Sequence, residues 1–171
     1  MNVAVRDLLE LADGSNVLVD ANVFINALNG TSPQCIRLLD RCVREKVSGL
    51  TTIETVNEAC HRLMLLEAVG TGVISRHSAS LLKRKPEAVK KLRRYWELTR
   101  TIFDDLNLAI IPLDEPRVRR ADEIRTRYGL LTNDSMLIAA AREYEIDCIA
   151  SHDSDFDDID GITVYKPRDI P

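Results

Sequence analysis

Val17-Leu18-Val19-Asp20-Ala21-Asn22 is the stretch on which the reading of the chain turns. Three apolar residues, two of them β-branched, run straight into a carboxylate, and an amide side chain follows two residues later. A short apolar run bounded by polar residues reads as a strand buried on both faces, as parallel sheets require. In an open α/β sheet, ligands bind outside the carboxyl ends of the strands, where the strand order reverses. Asp20 stands at such an end. It also suits the N-cap of the next helix, because a short side-chain oxygen there accepts a bond from a free backbone N–H.

Working outward, the remaining chain alternates short apolar runs with helical patterns. Residues 5–12 read as a helical lead-in ended near Gly14, with strands following at 17–20, 47–51, 108–111, 148–150 and 162–165. Between the first two strands, helices are predicted from Asn22 to Leu28 and from Pro33 to about Glu45, the second opened by Ser32 as cap and proline at its first position. A long helix runs from Ile53 to about Glu67 and is broken by Gly70 and Gly72. Val73 to Arg84 and Pro86 to about Leu106 form two antiparallel helices, an arm of about residues 73–106. Asp114 caps a helix over 115–128, and Thr132-Asn133-Asp134 opens the last one. Strands alternating with helices predict right-handed crossovers and a parallel sheet covered on both faces, an α/β fold.

The 171 residues fit one domain, 1–171, long enough to bury about 68–70% of its unfolded surface. With 45% hydrophobic and 29% charged residues the composition is that of an ordinary globular protein. No apolar run approaches a membrane span, and Asp7, Glu10 and Asp13 do not suit a signal peptide, so no membrane partner is expected. Cys35, Cys42, Cys60 and Cys148 show no C-x-x-C spacing; free thiols in a reducing cytoplasm are expected. The net charge of −4 is unevenly spread: Lys83 to Arg100 holds eight basic residues against Glu87 and Glu97, a segment of +6 on a body of −10. Such asymmetry points to two separate electrostatic tasks.

Four acids stand at comparable places: Asp20 after the first strand, Glu58 two turns into the helix after the second, Asp134 at a helix start, and Asp153 after the fourth strand. If the first and fourth strands are neighbours at the reversal point, Asp20 and Asp153 face each other, and the adjacent helix starts bring in Glu58 and Asp134. Singly, each acid has an ordinary structural explanation. Jointly they would repel one another unless a cation sat among them. Hard oxygen ligands without Cys or His suit Mg²⁺ or Mn²⁺, and such ions activate water and stabilise in-line attack on a phosphodiester. Glu54, one turn before Glu58, is a competing acid. Glu58-Ala59-Cys60-His61 is formally E-x-x-H, but a di-iron bundle needs two such motifs. The run from Asp153 to Asp158 lacks the glycine and the final glutamate of an EF-hand loop.

The segments Asp20-Ala21-Asn22-Val23, Thr52 to Glu58, Leu131 to Ala141 and Ser151-His152-Asp153-Ser154-Asp155-Phe156 resemble, in order and spacing, the four motifs of the PIN-domain nucleases, whose largest group is the VapC toxin ribonucleases. The resemblance spans about residues 17–166. It implies a three-layer α/β/α sandwich with a five-stranded parallel sheet, and metal-dependent RNA cleavage with Asp20, Glu58, Asp134 and Asp153 as catalytic, metal-binding acids. Asn22, Ser151 and Asp155 would support the site. It also implies an antitoxin protein and a homodimer as partners. Ser151 stands where threonine is commoner, and the arm is longer than in compact toxin members.

In the arm, Lys90, Lys91, Arg93 and Arg94 are candidates for contact with RNA phosphates, while Leu92, Tyr95 and Trp96 fit packing on the core or a partner better than stacking on bases. Three other functions remain open: an RNA-processing nuclease outside a toxin system, a non-catalytic RNA- or protein-interaction module, and a Mg²⁺-dependent phosphatase of the haloacid dehalogenase type. The last draws on Asp20-Ala21-Asn22 as a D-x-[DN] motif. It lacks the lysine it needs, because none lies between Lys91 and Lys166.

Overall fold

The computed structural model describes residues 4–170. Its centre is a parallel sheet of six strands: β1 (Ala4–Asp7), β2 (Asn16–Val19), β3 (Ser48–Thr52), β4 (Ala109–Ile111), β5 (Cys148–Ala150) and β6 (Thr163–Lys166). They lie in the order β1-β6-β5-β2-β3-β4. From β2 the chain steps to β3 and β4 on one side, then returns to β5 and β6 on the other. The reversal point therefore falls between β2 and β5, which pair through Leu18 with Ile149 and Val19 with Ala150.

Alternation along β2 sends its side chains into two cores. Val17 and Val19 pack with α1 (Ala21–Leu28), α2 (Pro33–Val43), α3 (Ile53–Gly70) and α6 (Arg94–Asp104). Leu18 faces the other way, with Ile149, Val164 and the apolar side of α8 (Thr132–Glu143), against which α7 (Glu115–Tyr128) lies. Three layers result. Among the described residues, no helix is long and apolar enough to cross a membrane.

Two sequence expectations need correction. The sheet has six strands, not five, because residues 4–7 form β1 rather than part of a helix. Ala4 to Asp7 pair with Thr163 to Lys166 at the sheet edge, and only Leu8–Glu10 make a 3₁₀ turn, capped by the Asp7 carboxylate on Leu9 N–H at 2.9 Å. Leu8 and Leu11 are buried, which produced the helical spacing. The arm is not a pair of long helices either. It is α4 (Ala79–Lys83), α5 (Pro86–Val89) and the start of α6, with no helix over 73–78. The second helix breaks at 90–93 and restarts where the Glu67 carboxylate of α3 accepts from the N–H groups of Arg93 and Tyr95, at 2.9 and 2.8 Å. Ala68, Ile74, Leu82 and Leu92 form a small core that docks the arm on the end of α3.

Gly49 looks like a weakness in β3, yet packing demands it. A Cβ there would lie 2.3 Å from Leu108 Cδ2 and 2.8 Å from Cys42 Sγ. Gly49→Ala is expected to cost about 1–3 kcal/mol by overpacking, read as a lower urea midpoint at unchanged m-value.

Candidate active site

The site is assembled at the carboxyl ends of β2, β3 and β5. Asp20 leaves β2 and caps α1, its Oδ1 accepting from Ala21 N–H at 2.6 Å. Cap and candidate ligand are thus the same residue, and the two readings of Asp20 do not compete. Its Oδ2 accepts from the Ser151 hydroxyl at 2.7 Å and from the Asn22 amide. Ser151, at the end of β5, also accepts from Asp153 N–H and from Asn22 Nδ2, each at 3.0 Å, while Asn22 Oδ1 accepts from His152 N–H at 2.9 Å. Asn22 and Ser151 therefore stitch the two strand ends together across the reversal point. Asp153 caps the short turn Ser154–Phe156, accepting from Asp155 N–H at 3.0 Å.

Glu58 and Asp134 reach the same place from α3 and α8. With Asp153 and Asp155 they line a cleft of about 510 Å³, lipped by the exposed Leu131. Burial raises the Asp20 carboxyl from its ordinary 3.8 to about 6; the bonds from Ser151 and Ala21 pull against this, and the charges of Glu58 and Asp153 add to it. Asp134 is also raised to about 6, first by burial and then by the charges of Asp20, Asp153, Glu58 and Asp155. All four acids singled out in the sequence, with Asp155, therefore sit within electrostatic range of one another.

A divalent cation fits this donor set. The candidate ligands are hard oxygens, and four carboxylates line one cleft with the charge of Asp20 close by. As the side chains stand, however, no three of them among the described residues converge on a single ion position. Asp20 is held by three donors, and Glu58 is drawn to Asn133 Nδ2 at 3.1 Å and to Arg62 at 3.5 Å. Ligation thus requires side-chain rotation.

Glu54 does not line the cleft; both its carboxylate oxygens are buried without a hydrogen-bond partner among the described residues. Asn133 and Arg62 were missed in the sequence, although one adjoins Asp134 and the other stands one turn after Glu58. Lys90, Lys91, Arg93 and Arg94 are all exposed, but they lie at the arm rather than in the cleft. Leu92 and Tyr95 pack against the small core of the arm, whereas Trp96 is 49% exposed and does not pack on the core of its own chain. A larger cleft of about 670 Å³ opens at the opposite ends of the strands, but it holds a single carboxylate, Glu45.

A family model described as the PIN domain matches residues 17–162. The chain belongs to the PIN-domain family. Ribonuclease VapC6 of Methanocaldococcus jannaschii is 26% identical over 163 residues, covering 89% of this chain and 97% of that protein. Among solved structures, VapBC2 of Rickettsia felis bound to a DNA fragment from its promoter superposes with a TM-score of 0.55 at 15% identity, over 89% of this chain and 98% of the matched one. VapC20 of Mycobacterium tuberculosis, a sarcin-ricin loop cleaving toxin, gives 0.55 at 15% identity, over 82% and 92%. These likenesses establish that the PIN domain described here has the same parallel-sheet α/β fold.

Proposed function

We propose that this PIN domain is a divalent-metal-dependent endoribonuclease and the toxin of a VapBC-type toxin–antitoxin pair. The observation that carries the reading is the meeting of Asp20, Glu58, Asp134 and Asp153 at the reversal point of the sheet. These four would hold Mg²⁺ or Mn²⁺, which when bound lowers the pKa of water and neutralises charge on a phosphoryl oxygen. Asn22 and Ser151 fix the Asp20 carboxylate, and Asp155 adds charge at the mouth of the cleft. Asp134 makes no hydrogen bond to a described residue, and in the metal-free protein burial and its acidic neighbours raise its carboxyl to about 6, a penalty that a bound cation would relieve. RNA as substrate and an antitoxin protein as partner are supported by the names of the relatives, a ribonuclease and a VapBC pair. Lys90, Lys91, Arg93 and Arg94 add phosphate contacts away from the cleft, a second copy of the chain completes a homodimer, and the cytoplasm is the expected location.

The test is cleavage of a pool of single-stranded and structured RNAs by wild type and Asp20→Asn, in EDTA, Mg²⁺ and Mn²⁺. Cutting is expected only with metal. It should fall at least about a hundredfold in the variant, since even residues that only orient ligands cost 10–100-fold when lost. A folded wild type that neither cuts RNA nor releases heat on Mn²⁺ titration would leave the non-catalytic module as the better reading.

A further inference from the structure

Four carboxylates, Glu58, Asp134, Asp153 and Asp155, line a cleft in which, on the reading above, a polyanion must bind, and with the neighbouring Asp20 they make five negative charges. One divalent ion leaves most of their charge uncancelled, and two still leave one negative charge over. Among the described residues one cation comes within ion-pair reach of any of the five: Arg62, whose Nη1 lies 3.5 Å from Glu58 Oε1. We propose that Arg62 binds the RNA phosphate at the rim of the cleft, leaving Glu58 as it does so. This inference rests on the nuclease reading and names a residue that the motif resemblance does not include.

The geometry fits the task. Arg62 stands one turn after Glu58 on α3, so its side chain reaches back over the residue that lines the cleft. Its side chain is half in water and its guanidinium donates no hydrogen bond to a described residue, which leaves the planar fork free for a phosphate. The pair with Glu58 is long, and exposed pairs of this spacing on a helix are weak. It therefore yields to a stronger partner on either side: a metal ion for Glu58, a phosphate for Arg62. Asn133 Nδ2 bonds the other oxygen of Glu58, so that carboxylate keeps a partner when Arg62 swings away.

The experiment compares wild type, Arg62→Ala, Arg62→Lys and, as a remote surface control, Arg119→Ala. Two quantities are read: Mn²⁺ affinity by calorimetry, and binding of a fluorescein-labelled single-stranded RNA of random sequence in Ca²⁺ over a range of salt. For Arg62→Ala, RNA affinity should fall roughly tenfold and the log–log salt slope should shrink by about 0.7, one phosphate contact on a single strand. Mn²⁺ affinity should rise about twofold, as the weak competing pair is removed. Arg62→Lys should keep the slope, and the Arg119→Ala control should match wild type. An Arg62→Ala protein with wild-type RNA affinity and slope overturns the assignment while leaving the nuclease reading intact. A wild type that binds neither Mn²⁺ nor RNA overturns both.

Discussion

Asp134→Asn is expected to make the protein more stable and almost inactive. Its carboxylate accepts no hydrogen bond from a described residue and is repelled by Asp20, Asp153, Glu58 and Asp155. An amide has nearly the same shape, so removing the charge breaks no bond and relieves both repulsion and desolvation. A carboxyl raised from 3.8 to about 6 is strained when ionised. Because Asp134 is only partly buried, solvent screens much of the effect, and about 1 kcal/mol is a reasonable gain. For a chain of this length that is a Tm increase of about 2–4 °C at pH 7.5 in EDTA. The same substitution removes a candidate metal ligand, and cleavage should fall by about a hundredfold or more. Asp20→Asn should not share the thermal gain. Asp20 accepts from Ala21, Asn22 and Ser151, and an amide would set a donor against the Asn22 Nδ2 donor. A lower melting temperature for Asp134→Asn in EDTA would show that the cluster is not strained by its own charge.

That contrast marks where the sequence was legible. Val17 to Val19 and the run ending at Ala150 are buried on both faces, so composition alone signals a strand. Gly129, in the left-handed conformation at φ 74°, ends α7 as its position suggests. β1 was illegible because four residues at an edge carry no period of their own; pairing with β6, 159 positions away in register, decides them. The break in the arm was illegible for a related reason: the cap of α6 is Glu67, supplied by a different helix. At the site, the places of the acids at strand ends and helix starts could be read, and the motif's spacing falls on Glu58, which lines the cleft, rather than on Glu54, which does not. Nothing local distinguishes Arg62 from any other helix-surface arginine. Its interest comes from the charge across the cleft.

The same charge makes stability depend on pH and metal in opposite senses. Asp20 and Asp134 have folded-state pKa values of about 6, above their ordinary 3.8. The folded protein therefore binds more protons than the unfolded chain between those values, and stability rises as pH falls. The penalty is full above pH 6, is relieved as pH drops through 6, and is gone below about 4. The deeply buried Asp20 accounts for about 3 kcal/mol of it, with a smaller share from Asp134. In EDTA the melting temperature should thus climb by several degrees from pH 8 to pH 5. A divalent ion reverses the balance at high pH, since a ligand at a hundred times its Kd stabilises by about 2.7 kcal/mol. Protons compete for the same carboxylates, so the increment from Mn²⁺ should be large at pH 8 and nearly absent at pH 5, bringing the two melting curves together. Thermal melts across this range with EDTA or Mn²⁺, on wild type and Asp134→Asn, check both halves. The variant should show a flatter EDTA profile and little response to Mn²⁺. An EDTA profile that falls from pH 8 to 5, or a Mn²⁺ increment equal at both ends, would mean that the charge of this cluster does not govern the stability of the fold.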